Sequence, residues 1–132
     1  MNILRDGLLA SLAAHAPLVA RLKGPHVYDG VPRGAPYPHV NIGECETKPW
    51  DTQTSRGFEH NVTLHVWTRG TRPREAQALL DRLDAWAEGA VVPVAGMRVV
   101  SLSNIFWTAL NAPEAGIFHG VMRLRIVTEP VN

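Results

Sequence analysis

The sequence holds a single cysteine, Cys45, so no internal disulfide can form and the several paired Cys or His of a structural zinc site are missing. An excess of one charge sign is missing too, with 13 Lys and Arg against 12 Asp and Glu. That balance removes the chain-wide basicity by which many nucleic-acid binders neutralise phosphates, leaving only local patches. No apolar run approaches the roughly 20 residues of a bilayer-spanning helix, and no membrane partner is expected. The run Leu8 to Ala14, followed by His15-Ala16, has the outline of a secretory leader. Against that reading, Asp6 cancels Arg5, the run is short and Gly7 interrupts the stretch. Charged residues are sparse at 19%, below the roughly 25% usual for soluble domains, which leaves surface for a partner to cover.

What is present is enough apolar material for one core: 45% of 132 residues. Leu4, Leu8 and Leu12 recur every four residues beside Leu9, which predicts an amphipathic helix over about residues 3 to 15. Pro17 opens a second short helical turn with Leu18, Val19 and Leu22, ended by Gly24-Pro25. Val27-Tyr28 reads as a brief strand before a loop broken by Gly30, Pro32, Gly34, Pro36 and Pro38. Alternation over His39 to Thr47 and Phe58 to Trp67 predicts two half-buried strands. The connection Lys48 to Arg56 is too long for a tight turn and too polar for a core, so it projects from the sheet with Trp50 at its tip. Thr71 is the expected cap of a helix over 72 to 88, with Ala76, Leu79, Leu80, Leu83, Trp86 and Ala87 on one face and Gly89 as its stop. Met97 to about Leu110 and Ile117 to Thr128 form a final hairpin around Asn111-Ala-Pro-Glu-Ala-Gly116. The expected fold is α+β, an antiparallel-rich β-sheet with two main helices packed on one face, in a single domain spanning 1–132.

Patterns that carry chemistry are few. The histidines His15, His26, His39, His60, His65 and His119 have no ligand spacing, and His60 and His65, five apart in a strand, fall on opposite faces. No Ser lies in a Gly-x-Ser-x-Gly turn, and no phosphate-cradling Gly-x-x-x-x-Gly-Lys occurs. Cys45 sits between Glu44 and Glu46, whose charges oppose a thiolate. Asp81, Asp84 and Glu88 fall opposite the apolar helix face and read as solvated. No catalytic residue, cofactor or metal is expected.

Several side chains read instead as contacts. Arg69, Arg72 and Arg74 crowd a helix start, where the macrodipole disfavours cations, so they are either solvated or matched by carboxylates of another subunit or by passing nucleic acid. Arg123 and Arg125 lie on the face of the last strand opposite Met122, Leu124 and Ile126, with Val121 and Val127 beside them. This outer face is either an ordinary exposed sheet face or an interface. Trp50, with Asp51 and Arg56 in the same loop, either folds back or anchors a partner.

Motifs recur along the chain in a definite order and spacing: the Leu/Ala-rich opening helix; Val27-Tyr-Asp; Pro36-Tyr-Pro-His-Val40 and Ile42-Gly-Glu44; Gly57 with His60, Val62 and His65-Val-Trp-Thr68; the Glu75-Ala76 helix; Phe118-His-Gly-Val-Met-Arg-Leu-Arg125; and Val127-Thr-Glu-Pro130. In that order and spacing they resemble the tail-terminator, or tail-completion, family of siphophages and gene transfer agents. The resemblance spans nearly the whole chain. It implies a homo-oligomeric, typically hexameric ring at the head-proximal end of the tail of a phage-like particle, assembled in the bacterial cytoplasm. Its implied partners are the tail tube protein and the head-completion or stopper protein, with DNA passing through the lumen without specific binding. The family brings no catalytic residues. Rival readings are a stopper or tube subunit, and a small ligand-binding or enzymatic domain using His39, Glu44 and Cys45.

Overall fold

The computed structural model describes residues 2–54, 56–111 and 114–131. Leu4, Leu8 and Leu12 are all fully buried along one stripe of helix α1, Asn2–Ala13. Helix α2, Ala16–Leu22, follows with Pro17 in its first turn, where a missing N–H leaves nothing unpaired. It closes on Lys23 in the left-handed region (φ 61°), with Lys23 and Gly24 N–H groups donating to the Ala20 and Val19 carbonyls. Both helices send their leucines into one core, and α2 is a third packed helix beside the two expected from sequence.

Strands β1 (Val27–Tyr28), β2 (His39–Pro49), β3 (Phe58–Arg69), β4 (Met97–Asn111) and β5 (Ile117–Pro130) form one sheet in the order β1-β2-β3-β5-β4. Among the described residues only the β1–β2 pairing is parallel. The architecture is therefore the predicted α+β. Strands run a residue or two past the sequence boundaries because pairing continues where alternation stops, as at Pro49 with Phe58 and Arg69 with Ile117. In β3 the even positions Val62, Leu64 and Val66 are fully buried under the helices, while Asn61, Thr63, His65 and Trp67 face the other side.

Helix α3, Arg74–Gly89, packs over β3, β4 and β5, and all six residues predicted for its inner face are buried. Its start differs from expectation. Thr71 does not cap it; Pro73 occupies the N-cap position, and the Gln77 N–H donates to the Pro73 carbonyl. The reason lies in the preceding turn, where the Gly70 N–H is held by the Gly116 carbonyl, so Thr71 stays outside the helix. Asp84 is not purely solvated either: it accepts from Asn104 Nδ2 at 3.0 Å and ties α3 to β4.

Close approach explains Gly7. A Cβ there would stand 2.0 Å from the Pro93 carbonyl oxygen, so α1 can lie against the segment after α3 only with glycine at this point. In the β4–β5 turn, Ala112 and Pro113 lie outside the described residues.

Candidate assembly surfaces

The helix-free face of the sheet is where the outward residues of β2, β3 and β5 meet. Register places Asn41 opposite His65, and Trp67 opposite His119. The Trp67 and His119 rings stack at 4.0 Å with their planes 3° apart, and Trp67 Nε1 donates to Asn41 Oδ1 at 3.0 Å. His65 Nδ1 lies 2.7 Å from His119 Nε2. One ring must donate and the other accept, so the geometry holds at least one imidazole neutral. Burial lowers the pKa of both histidines; nearby Glu44 partly offsets this for His65, and the charge of His65 adds to it for His119. His60, on the opposite face as predicted, is fully buried and bonded to Thr47 Oγ1 at 2.9 Å and Thr128 Oγ1 at 2.8 Å.

Farther along this face, Glu59 bridges two strands. Lys48 Nζ approaches it at 2.9 Å and Arg125 Nε at 2.6 Å, and these two partners hold its carboxyl below the usual range. Arg125, a candidate contact residue, is therefore engaged within the chain, while Val127 is buried and Val121 half-buried. Arg123 differs. It is exposed, its guanidinium lies 5.6 Å from the Phe106 ring centroid, and it has no carboxylate partner among the described residues.

The other candidates scatter to the two ends of the sheet. Arg69 stacks on Tyr37 with 4.6 Å from guanidinium to ring centroid. Arg72 and Arg74 are exposed, and the nearby acid Glu75 is taken by Arg21 of α2 at 3.0 Å. At the opposite end, Trp50 sits at the neck of its loop and not at the tip. Its N–H donates to the Gly57 carbonyl at 2.8 Å, and its indole lies so close over Gly57 that a Cβ there would come within 3.2 Å of it. Asp51 accepts the Gly57 N–H at 3.4 Å, and Arg56 is exposed.

The surface that sequence reasoning missed is strand β4. It is an outer strand of the sheet, 15 residues long, and Ile105, Phe106, Trp107 and Leu110 are 53, 47, 49 and 50% exposed. Phe106 and Leu110 pair with the outward residues Arg123 and His119, and Trp107 pairs with the core-facing Met122. Apolar groups thus flank the unpaired edge on both faces of the sheet. A long apolar edge of this kind invites pairing with another chain unless something covers it. The signal was present in Ile105-Phe-Trp107, three consecutive bulky residues that alternation cannot all bury.

The residues of the rival ligand-site reading do not converge. His39 bonds to the Pro36 carbonyl at 2.9 Å, and Cys45 lies six residues along β2, about 20 Å for extended chain. Cys45 pairs with core-facing Val62 and packs against the core. Among the described residues no group of three or more His, Cys, Asp or Glu gathers. A broad cleft of about 1340 Å³ lies between α2, the 31–38 loop and the ends of β2 and β3, with Arg21, Lys23, Arg69 and Trp67 on its walls.

A family model described as Tail completion protein gp17 matches residues 6–129. The chain belongs to that family. Tail completion protein gp17 of Bacillus phage SPP1 is 24% identical over 122 residues, spanning 92% of this chain and 89% of that protein. A chain from the virion of a native gene transfer agent particle is 25% identical, with a TM-score of 0.80 over 96% of this chain and 94% of its own. Bacteriophage SPP1 gp17, at 23% identity and a TM-score of 0.59 over 99% of this chain and 90% of its own, shares the fold. The family consists of structural tail-completion proteins and not of enzymes, and this tail-completion protein is a structural component of the tail of a phage-like particle. In that setting its surfaces meet other tail and head components.

Proposed function

We propose that the protein terminates the tail tube and joins it to the head-completion ring as a closed, hexameric ring of copies, with DNA passing through the lumen. The observation that carries this reading is the 15-residue β4 edge with its exposed Ile105, Phe106, Trp107 and Leu110, in a chain of the tail-completion family. Closed rotational symmetry covers such an edge in every copy at once and fixes the number of subunits. Termination then follows from unlike axial faces: one matches the last tube ring, and the other cannot receive a further one. The 50–57 loop contributes to one axial contact and the arginines Arg69, Arg72 and Arg74 at the other end of the sheet contribute to the opposite one. No bond is made or broken in this role, and it calls for no cofactor.

Producer cells lacking the protein test the reading. The expected result is filled heads without joined tails and tubes of uncontrolled length, both corrected by supplying the chain in trans. Particles of normal tail length and infectivity or transducing activity without the protein would overturn it.

A further inference from the structure

The sheet has two open margins, and they differ in chemistry. β1 covers β2 only at Val40 and Asn41. Just beyond, Arg5, fixed by Asp29, donates to the Ile42 and Gly43 carbonyls at 3.2 and 2.8 Å and closes the edge there. From Glu44 to Pro49 the outer edge of β2 carries no strand among the described residues, a length of about 20 Å. Glu46 pairs with Asn61 and so faces the helix-free side; Glu44 acts electrostatically on His65 of the same side. Both are exposed, and neither has an ion-pair partner among the described residues.

The β4 margin presents the opposite charge on the same face. Arg98 is neutralised by Glu129, but Arg123 extends over Phe106 with no carboxylate among the described residues. Height matches as well. The row Glu46–Asn61–Arg125–Ser103 crosses the sheet directly, and the next row on this face, Thr63–Arg123–Phe106, meets β2 at the irregularity between Ile42 and Cys45, where Glu44 lies. Strand direction permits a continuous joint. Three antiparallel steps separate β2 from β4, so the two run in opposite directions. Copies related by rotation about an axis along the strands would therefore bring β4 of one against β2 of the next as an antiparallel pair.

We propose that the ring joint is an antiparallel pairing of β4 in one copy with the Glu44–Pro49 edge of β2 in the next, locked on the helix-free face by Arg123 against Glu44 and Glu46. The occupant of the β4 edge is thus a second copy of this chain. This rests on the ring reading above and adds which edges meet and which charges select them. Like charges facing each other at such a joint are strongly unfavourable, whereas an exchanged pair restores the match.

Charge exchange tests it, in full-length protein and with two readouts: particle yield in producer cells, and copies of the chain per purified particle by quantitative mass spectrometry. R123E and the pair E44R/E46R should each lower particle yield by at least about tenfold, and the triple variant should return it to within about threefold of wild type. All three positions are exposed, so melting temperatures near wild type are expected and confirm that the chains fold. Normal yield from R123E or from E44R/E46R overturns the joint, as does a triple variant no better than its parents. A single copy of the wild-type chain per particle overturns the ring reading itself, whatever the variants do.

Discussion

Thr68 sits in the core-facing row of β3, 1% exposed, and its hydroxyl oxygen has no hydrogen-bond partner among the described residues. A buried, unsatisfied hydroxyl costs about 1–3 kcal/mol, and valine has nearly the same shape. Thr68→Val should therefore stabilise the protein by about 1 kcal/mol, raising Tm by about 3 °C in a thermal melt. A lowered Tm would show that the hydroxyl is paired. The histidines set a pH dependence of definite sign. Burial holds His39, His60, His65 and His119 below their ordinary 6.5, so the folded chain binds fewer protons than the unfolded one as pH drops past that value. Stability is fully present above about pH 6.5 and is lost progressively below it. Glu59, held down by Lys48 and Arg125, adds a loss of the same sign below its ordinary 4.5. Melting curves between about pH 8 and 5 should be flat at the upper end and fall at the lower, and a Tm that rises below about pH 6 would contradict the assignment. Little of this pairing was legible beforehand. Arg125 looked available because the strand pattern gives its face but not its diagonal neighbour Glu59, which only the β3–β5 register brings close.

At the scale of elements, the sequence was most informative where a period runs long enough to define a face. The α3 stripe and the β3 alternation were readable because burial of one face repeats every 3.6 or 2 residues. Ends were less readable, since the start of α3 is set by the Gly70–Gly116 contact, a partner 46 residues away in sequence. The 50–57 loop shows the same limit. Its length and polarity marked it as a projection, but the Trp50–Gly57 pairing that moves the indole to the neck depends on the β2–β3 register. Because Lys48 pairs with Glu59, deleting residues 49–55 leaves Arg56, Gly57 and Phe58 to connect the strands, a length that hairpins commonly use. That variant should fold, with a cooperative melt, yet fail to give tailed particles. Normal infective or transducing particles from it would remove the loop from the axial contact.

For the whole molecule, the identity of the open edges was not legible, because strand order depends on long-range pairing: β5 inserts between β3 and β4 and leaves β4 at the margin. Only that arrangement turns Ile105-Phe-Trp107 from a set of β-forming residues into an uncovered apolar edge. The low charge content leaves surface for a partner to cover, and the exposed apolar residues of β4 are surface of that kind. In the role proposed above, this chain acts by matched surfaces in a ring at the top of the tail. A density map of purified particles that resolves side chains tests it most directly. The expected density is a closed ring between tube and head in which β4 of every copy is covered by its neighbour. Density showing the β4 edge open to solvent, or particles without this chain, would contradict it.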